Sequence, residues 1–451
     1  MDTGLISVII PMFGNSSSKL NKVFIESLSV FGEVLFVSNK NTDPEKISHY
    51  PLLISNHVCG TETLNRAYHE AKSKWILILE PGEEVSLNNL QKLHPEQGCC
   101  YKAVLESGEN EFAKRNYAIR MIPKIENNSV PFSGNLVPDV TEFIYSNKLK
   151  VSGSSIIIKR SSELSDLNYL EEVHELTPET PMDSFWQAVY CAERQKFYRA
   201  EKLFRQSMNT DFLLEFYHLA ARNGLAISLF EQHRLDDAFE VADESVLLNN
   251  RQYTPWILMH KICWMKSDWI GAYQYLEKYL ETEKYNSESG FDIRMSRSDS
   301  FYLLAEVSLY NGDYSKAFRH LEKFFEINNG EVSDEIPEKL LIFAAELKLK
   351  EKAIFYFNEI YNRHTLEKPD EKVMNRLLET LSLIEDNGWN DFASNIYEKL
   401  IAVYPGNHKI LQGWLTSLIR SNQLQKAKVL MENIKNPNIK EPVAESFQFF
   451  Q

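Results

Sequence analysis

Three carboxylates crowd one turn of this chain. The continuous apolar run Trp75-Ile76-Leu77-Ile78-Leu79 stops at Glu80-Pro81-Gly82-Glu83-Glu84, and an apolar run closed by proline and glycine reads as a buried strand ending in a turn. Carboxylate oxygens are hard ligands suited to magnesium or manganese. Glu80, Glu83 and Glu84 are therefore candidate ligands of a divalent cation. The competing reading is a solvated acidic turn before a helix that starts near Ser86, where negative charge meets the positive end of the helix dipole. Lys40, Arg66 and Arg115 are cations that could face an anionic ligand without any metal.

Such a turn needs a scaffold, and the surrounding periodicity supplies one. Leu64, Ala67, Tyr68 and Ala71 follow the spacing of a helix that buries one face, directly before the apolar strand. Leu5 to Pro11, Val34 to Val37 and Leu52 to Ser55 read as further strands, with a helix from about Lys19 to Val30 between the first two. Strands alternating with helices imply a parallel sheet. In open sheets of this kind ligands bind beyond the carboxyl ends of the strands. Shorter strands follow at Cys100 to Leu105, Ala118 to Ile122 and Ser155 to Lys159.

Beyond the polar, acidic stretch Ser161 to Pro181 the chain is helical and repeats itself. Phe197/Ala200/Phe204, Trp269/Ala272/Leu276, Tyr314/Ala317/Leu321 and Leu424/Ala427/Met431 share one pattern, with weaker copies at Ala238, Ala353 and Ala393. Subtracting successive alanine positions gives 34 to 45 residues, beside the ~34-residue period of helix-turn-helix repeats. A small alanine lets the two helices of a hairpin approach, and bulky neighbours fill the gap to the next hairpin. The expected fold class is thus α/β plus all-α, with a sheet domain over 1–160, a linker over 161–182, about seven repeats over 183–435 and a tail over 436–451.

Composition narrows the partners. A net charge of -14 and a pI near 5.4 argue against nucleic acid, which requires a basic face. No stretch approaches the ~20 apolar residues of a membrane span, and the amino terminus lacks a basic segment before its first apolar run, so a cytoplasmic location is expected. Five cysteines at irregular spacing form neither a disulfide framework nor a zinc motif. Adjacent Cys99 and Cys100 are expected on opposite faces of one strand. The tryptophans at 256, 264, 269, 389 and 414 sit at helical spacing and read as packing residues, and the histidines show no metal-ligand spacing.

Gly60, Leu64, Asn65, Arg66, Ala67, Ala71 and Trp75 with its strand, together with Ser7-Val8-Ile9-Ile10-Pro11-Met12-Phe13 at the start, resemble the nucleotide-binding domain of family 2 glycosyltransferases. The helical part resembles a tetratricopeptide array. The resemblance implies a Rossmann-like GT-A fold and transfer of a sugar from a nucleotide diphosphate to a protein or peptide acceptor held by the repeats. It implies donor-binding roles for Pro11, Phe13, Ser38, Asn39, Lys40, Asp43, Gly60, Asn65, Arg66 and Glu80, with magnesium or manganese at Glu80, Glu83 and Glu84. Asp139 or Glu142 would be the base that deprotonates the acceptor hydroxyl. Three departures stand against it: Ser38-Asn39 replaces two acids, Gly82 replaces the second metal ligand, and Val137-Pro138-Asp139 replaces Val-His-Glu. The alternative is a catalytically inert domain retained for shape while the repeats bind a protein partner. A third option is a metal-independent enzyme that relies on Lys40, Arg66 or Arg115.

Overall fold

A computed structural model describes residues 2–12, 20, 22–39, 47, 50–55, 60–107, 114–125, 130–134, 139–160, 177–209, 213–283, 289, 292–364, 371–404 and 407–433. The first strands are β1 (Ile6–Met12), β2 (Glu33–Asn39), β3 (Leu52–Ser55) and β4 (Trp75–Ile78), followed by β5 (Glu84–Val85), β6 (Cys99–Ser107), β7 (Lys114–Pro123) and β8 (Lys150–Arg160). They form one sheet in the order β3-β2-β1-β4-β7-β6-β8-β5. The first four are parallel, β7 runs antiparallel to β4, and β8 is parallel to β6. The helices among them are α1 (Lys22–Ser27), α2 (Thr61–Glu70), α3 (Leu87–Gln91) and α4 (Thr141–Ser146). α1 is shorter than the expected Lys19 to Val30, because a tighter helical turn takes over at Leu28–Val30.

Both faces of the sheet are covered, so its central strands are mostly apolar, with Ser7 of β1 and Arg120 of β7 as buried polar exceptions. Ile6, Val8, Ile10 and Met12 face one core with Phe24, Leu28 and Leu90. Ile9 faces the other, with Leu64, Ala67 and Tyr68 of α2. Cys99 and Cys100 divide between these two cores as expected.

Fourteen further helices follow among the described residues: α5 (Pro181–Glu193), α6 (Phe197–Met208), α7 (Glu215–Glu231), α8 (Leu235–Leu248), α9 (Thr254–Met265), α10 (Trp269–Thr282), α11 (Arg297–Tyr310), α12 (Tyr314–Ile327), α13 (Glu335–Glu346), α14 (Lys350–His364), α15 (Glu371–Asp386), α16 (Asn390–Val403), α17 (His408–Arg420) and α18 (Leu424–Asn433). Taken in consecutive pairs they make seven hairpins. Each second helix carries one of the seven alanines, and all seven are fully buried at 0% exposure. Five residues before each alanine the backbone turns left-handed, at Gln195, His233, Ser267, Gly312, Lys348, Gly388 and Asn422. The next residue's amide closes the turn onto the preceding helix at 2.8–3.1 Å, as in Lys196 to the Cys191 carbonyl and Gln423 to that of Leu418. This 6→1 bond satisfies a carbonyl that the helix end leaves open. The half-buried Trp256, Trp389 and Trp414 pack against the cores of the hairpins.

The chain divides into two compact units, Met1–Ser296 and Arg297–Gln451. The division falls inside the longest interval between alanines, 272 to 317, and not in the stretch 161–182. In the first unit one continuous apolar core runs from Ile9, Val37 and Ile76 of the sheet through Phe143 of α4 to Phe185, Phe204, Tyr217 and Met259 of the hairpins. The end of this unit folds back on it: buried Asp292 accepts hydrogen bonds from the Tyr253 and Thr254 amides at 2.7 and 2.6 Å, at the start of α9. The second unit has its own core, from Ala305 through Phe357 to Ile410.

Candidate functional site

In a parallel arrangement ordered 3-2-1-4, the strand order reverses between β1 and β4, the position beyond the carboxyl ends where folds of this kind place ligands. Pro11 and Met12 of β1 stand in register with Val37 and Ser38 of β2, and the Leu79 amide bonds the Ile9 carbonyl. Pro11, Ser38 and Glu80 thus share one edge, with Ser38 fully buried. Asn39 ends β2, pairing with Ser55. Phe13, Lys40 and Asp43 lie outside the described residues, as does the side chain of Arg115.

At the end of β4 the acidic turn closes on an arginine. Nη2 of Arg120, from β7, donates to Glu80 Oε1 at 2.7 Å and to Glu83 Oε1 at 2.9 Å. Glu83 Oε2 accepts from the Glu80 amide at 2.8 Å. The Glu83 side chain is 0% exposed, Arg120 7% and Glu80 29%. Burial separates this triad from a surface ion pair, because charges removed from water must be compensated by one another. Glu84 is exposed and belongs to β5, in register with Lys159 of β8. α3 has no acidic residue in its first turn, so the acids do not cap that helix. Among the described residues no three His, Cys, Asp or Glu side chains converge as a metal site.

A second cluster gathers around α2. Gly60 precedes that helix in a left-handed conformation, φ 62°, which glycine adopts without penalty. Asn65 binds the backbone of Phe132 with both ends of its amide, at 2.9 and 2.8 Å, and the Thr61 hydroxyl donates to the Gly134 carbonyl at 2.8 Å. Asn65 is therefore a clamp on the 132–134 segment. Arg66 is exposed and pairs with Glu70 one turn along its own helix.

The clamped segment leads to Asp139, whose backbone pairs with Ser133 in both directions and whose Oδ2 accepts from the Thr141 amide at 3.0 Å. Burial pushes the Asp139 carboxyl up to about 6, against the pull of hydrogen bonds from Thr141 and Val140, and the nearby Asp183 carboxylate adds to the rise. Asp183 is itself buried, closing the capping box with Thr180 at the start of α5. Glu142 is exposed in the first turn of α4.

The sign of the Asp139 shift sets a pH dependence. A carboxyl raised from the usual ~3.9 contributes stability that is complete below pH ~4 and lost as pH rises through about 6. Asp139→Asn keeps an acceptor for the Thr141 amide and removes the titration. Urea unfolding at pH 5 and pH 8 is expected to show the gap between the two conditions shrinking by about 1.4 kcal/mol in this variant. An unchanged gap would show that Asp139 titrates normally.

No family model matches the chain, and no curated protein matches it. Solved structures with which it shares likeness include MamA, at 16% identity and TM-score 0.32 over 40% of this chain and 90% of that one. YrrB, a tetratricopeptide protein described as having an unusual peptide-binding site, gives 17% and 0.29 over 42% and 89%. A tetratricopeptide repeat protein from Parabacteroides merdae gives 12% and 0.33 over 60% and 98%. Two of these three are described as tetratricopeptide proteins; in this chain the seven hairpins are defined by its own buried alanines and left-handed turns.

Arg120 is the residue whose role sequence reasoning missed. It lies inside the expected strand Ala118 to Ile122, and an arginine amid Ala118-Ile119 and Met121-Ile122 must find a buried anion. That requirement narrows its partners to acidic turns flanking apolar strands, Glu80 to Glu84 among them.

Proposed function

We propose that this protein is a partner-binding scaffold: the tetratricopeptide-like hairpins hold a protein or peptide, and the sheet domain is kept for its shape and its shared core. The observation that carries the reading is the Glu80–Arg120–Glu83 triad. Nucleotide-sugar transfer draws on carboxylates at this strand end to hold a metal against the leaving diphosphate, an electrostatic task. Here two of the three are committed to an internal cation. Exposed apolar side chains such as Leu309, Tyr310 and Ile342 on the hairpins of the second unit provide contact surface of the kind protein partners cover.

Sugar transfer from a nucleotide diphosphate to a protein or peptide acceptor is the second reading, and one observation favours it. The Asp139 carboxyl, raised to about 6, lies in the range a general base needs near neutral pH. Isothermal titration with uridine, guanosine and cytidine diphosphates, with and without manganese, separates the two. The scaffold reading expects no saturable heat in any condition. Stoichiometric binding that Ser38→Tyr abolishes would replace it with the transferase.

A further inference from the structure

The resemblance to nucleotide-sugar transferases implies a divalent cation after β4, and the residues present do not fit one. Gly82 offers no side chain, Glu84 is exposed and its strand pairs with β8, and Glu80 and Glu83 converge on a single guanidinium nitrogen. Magnesium and manganese want about six oxygen ligands in near-octahedral array. A hydrogen-bonded guanidinium needs only acceptors, and two carboxylate oxygens 2.7 and 2.9 Å from Nη2 supply them.

We propose that Arg120 is a resident cation: its guanidinium takes the place of a divalent ion between Glu80 and Glu83, and the pair becomes a metal site only when that guanidinium is removed. Arginine stays charged at every pH the fold survives, and being tethered through β7 it cannot dissociate. A metal entering the wild-type turn would have to displace a side chain that is 7% exposed, leaving its charge buried without compensation, which a low-dielectric site strongly disfavours. The acids survive because they balance Arg120. The proposal rests on the same triad as the scaffold reading but makes a separate claim, about what holds the charge.

The test uses the full chain and manganese chloride alone, with binding read by electron paramagnetic resonance of free manganese and by melting temperature at matched ionic strength. Wild type is expected to bind no stoichiometric manganese and to melt unchanged. Arg120→Met is expected to melt lower, to bind one manganese at least about tenfold more tightly than wild type, and to regain melting temperature as the metal is added. Adding Glu80→Gln to that variant is expected to abolish both effects, and Arg120→Lys, which keeps the charge, is expected to stay blind to the metal. Wild type binding one manganese in a manner that Glu80→Gln removes would overturn the proposal. So would an Arg120→Met chain that gains no manganese, or that stays unfolded at every manganese concentration. Should wild type bind a nucleotide diphosphate without metal, the scaffold reading falls and this one stands.

Discussion

Arg120→Met is expected to lower the stability of the first unit by about 3–5 kcal/mol, the cost of leaving a buried charge without its partner. The charge left behind is that of Glu83, whose side chain is 0% exposed. Water cannot reach it to compensate. Further replacing Glu83 with Leu and Glu80 with Gln is expected to recover most of the loss, to within about 1–2 kcal/mol of wild type, because a buried ion group exchanged whole for apolar packing is close to neutral. Hydrogen exchange of the β4 and β7 amides gives the reading, since these strands carry the triad's two sides. Burial also keeps salt from screening the triad, so the loss is expected to be the same at low and high ionic strength. An Arg120→Met loss below about 1 kcal/mol, or one that high salt erases, would mean the three groups behave as an ordinary surface network.

A fragment covering 1–176 is expected not to fold cooperatively, whereas 1–296 is expected to melt in one transition. The reason lies in the core that the sheet shares with the first three hairpins. Met182, Phe185, Tyr217 and Met259 belong to the same apolar cluster as Ile76, Ile122 and Phe143, and Lys102 of β6 lies 5.7 Å from the Phe216 ring of α7. Burying one such side chain is worth roughly 1.5–3 kcal/mol, so cutting away several removes an amount comparable with the ~5–15 kcal/mol that a domain has in total. Near-ultraviolet circular dichroism and binding of an apolar dye to the two fragments decide the matter. A sheet fragment that melts as sharply as 1–296 would show that the shared core is dispensable and support the expected boundary in the stretch 161–182.

Much of the secondary structure was legible from local pattern. β3 runs Leu52–Ser55 in the fold as in the periodicity, and all seven alanines picked out by spacing are at hairpin contacts with no exposure. Both signals are carried by neighbours along the chain. Other features carried no signal. β5 is two residues long, below what alternation can reveal. Five of the seven hairpin turns place a residue other than glycine in the left-handed region, so the glycine rule marks only Gly312 and Gly388.

The candidate site divides the same way. Residue type and spacing alone established a sheet followed by helical hairpins and an acidic turn at the end of a buried strand, because hydrophobic period and turn chemistry act over a few residues. What the acids do was decided by the fold, which brings Arg120 to Glu80 from 40 positions away and Phe132 to Asn65 from 67. The limit of the sheet-bearing unit was decided there too. A side chain's partner depends on which strands become neighbours, and strand order is set by how the faces of the whole sheet are covered, not by any window of sequence.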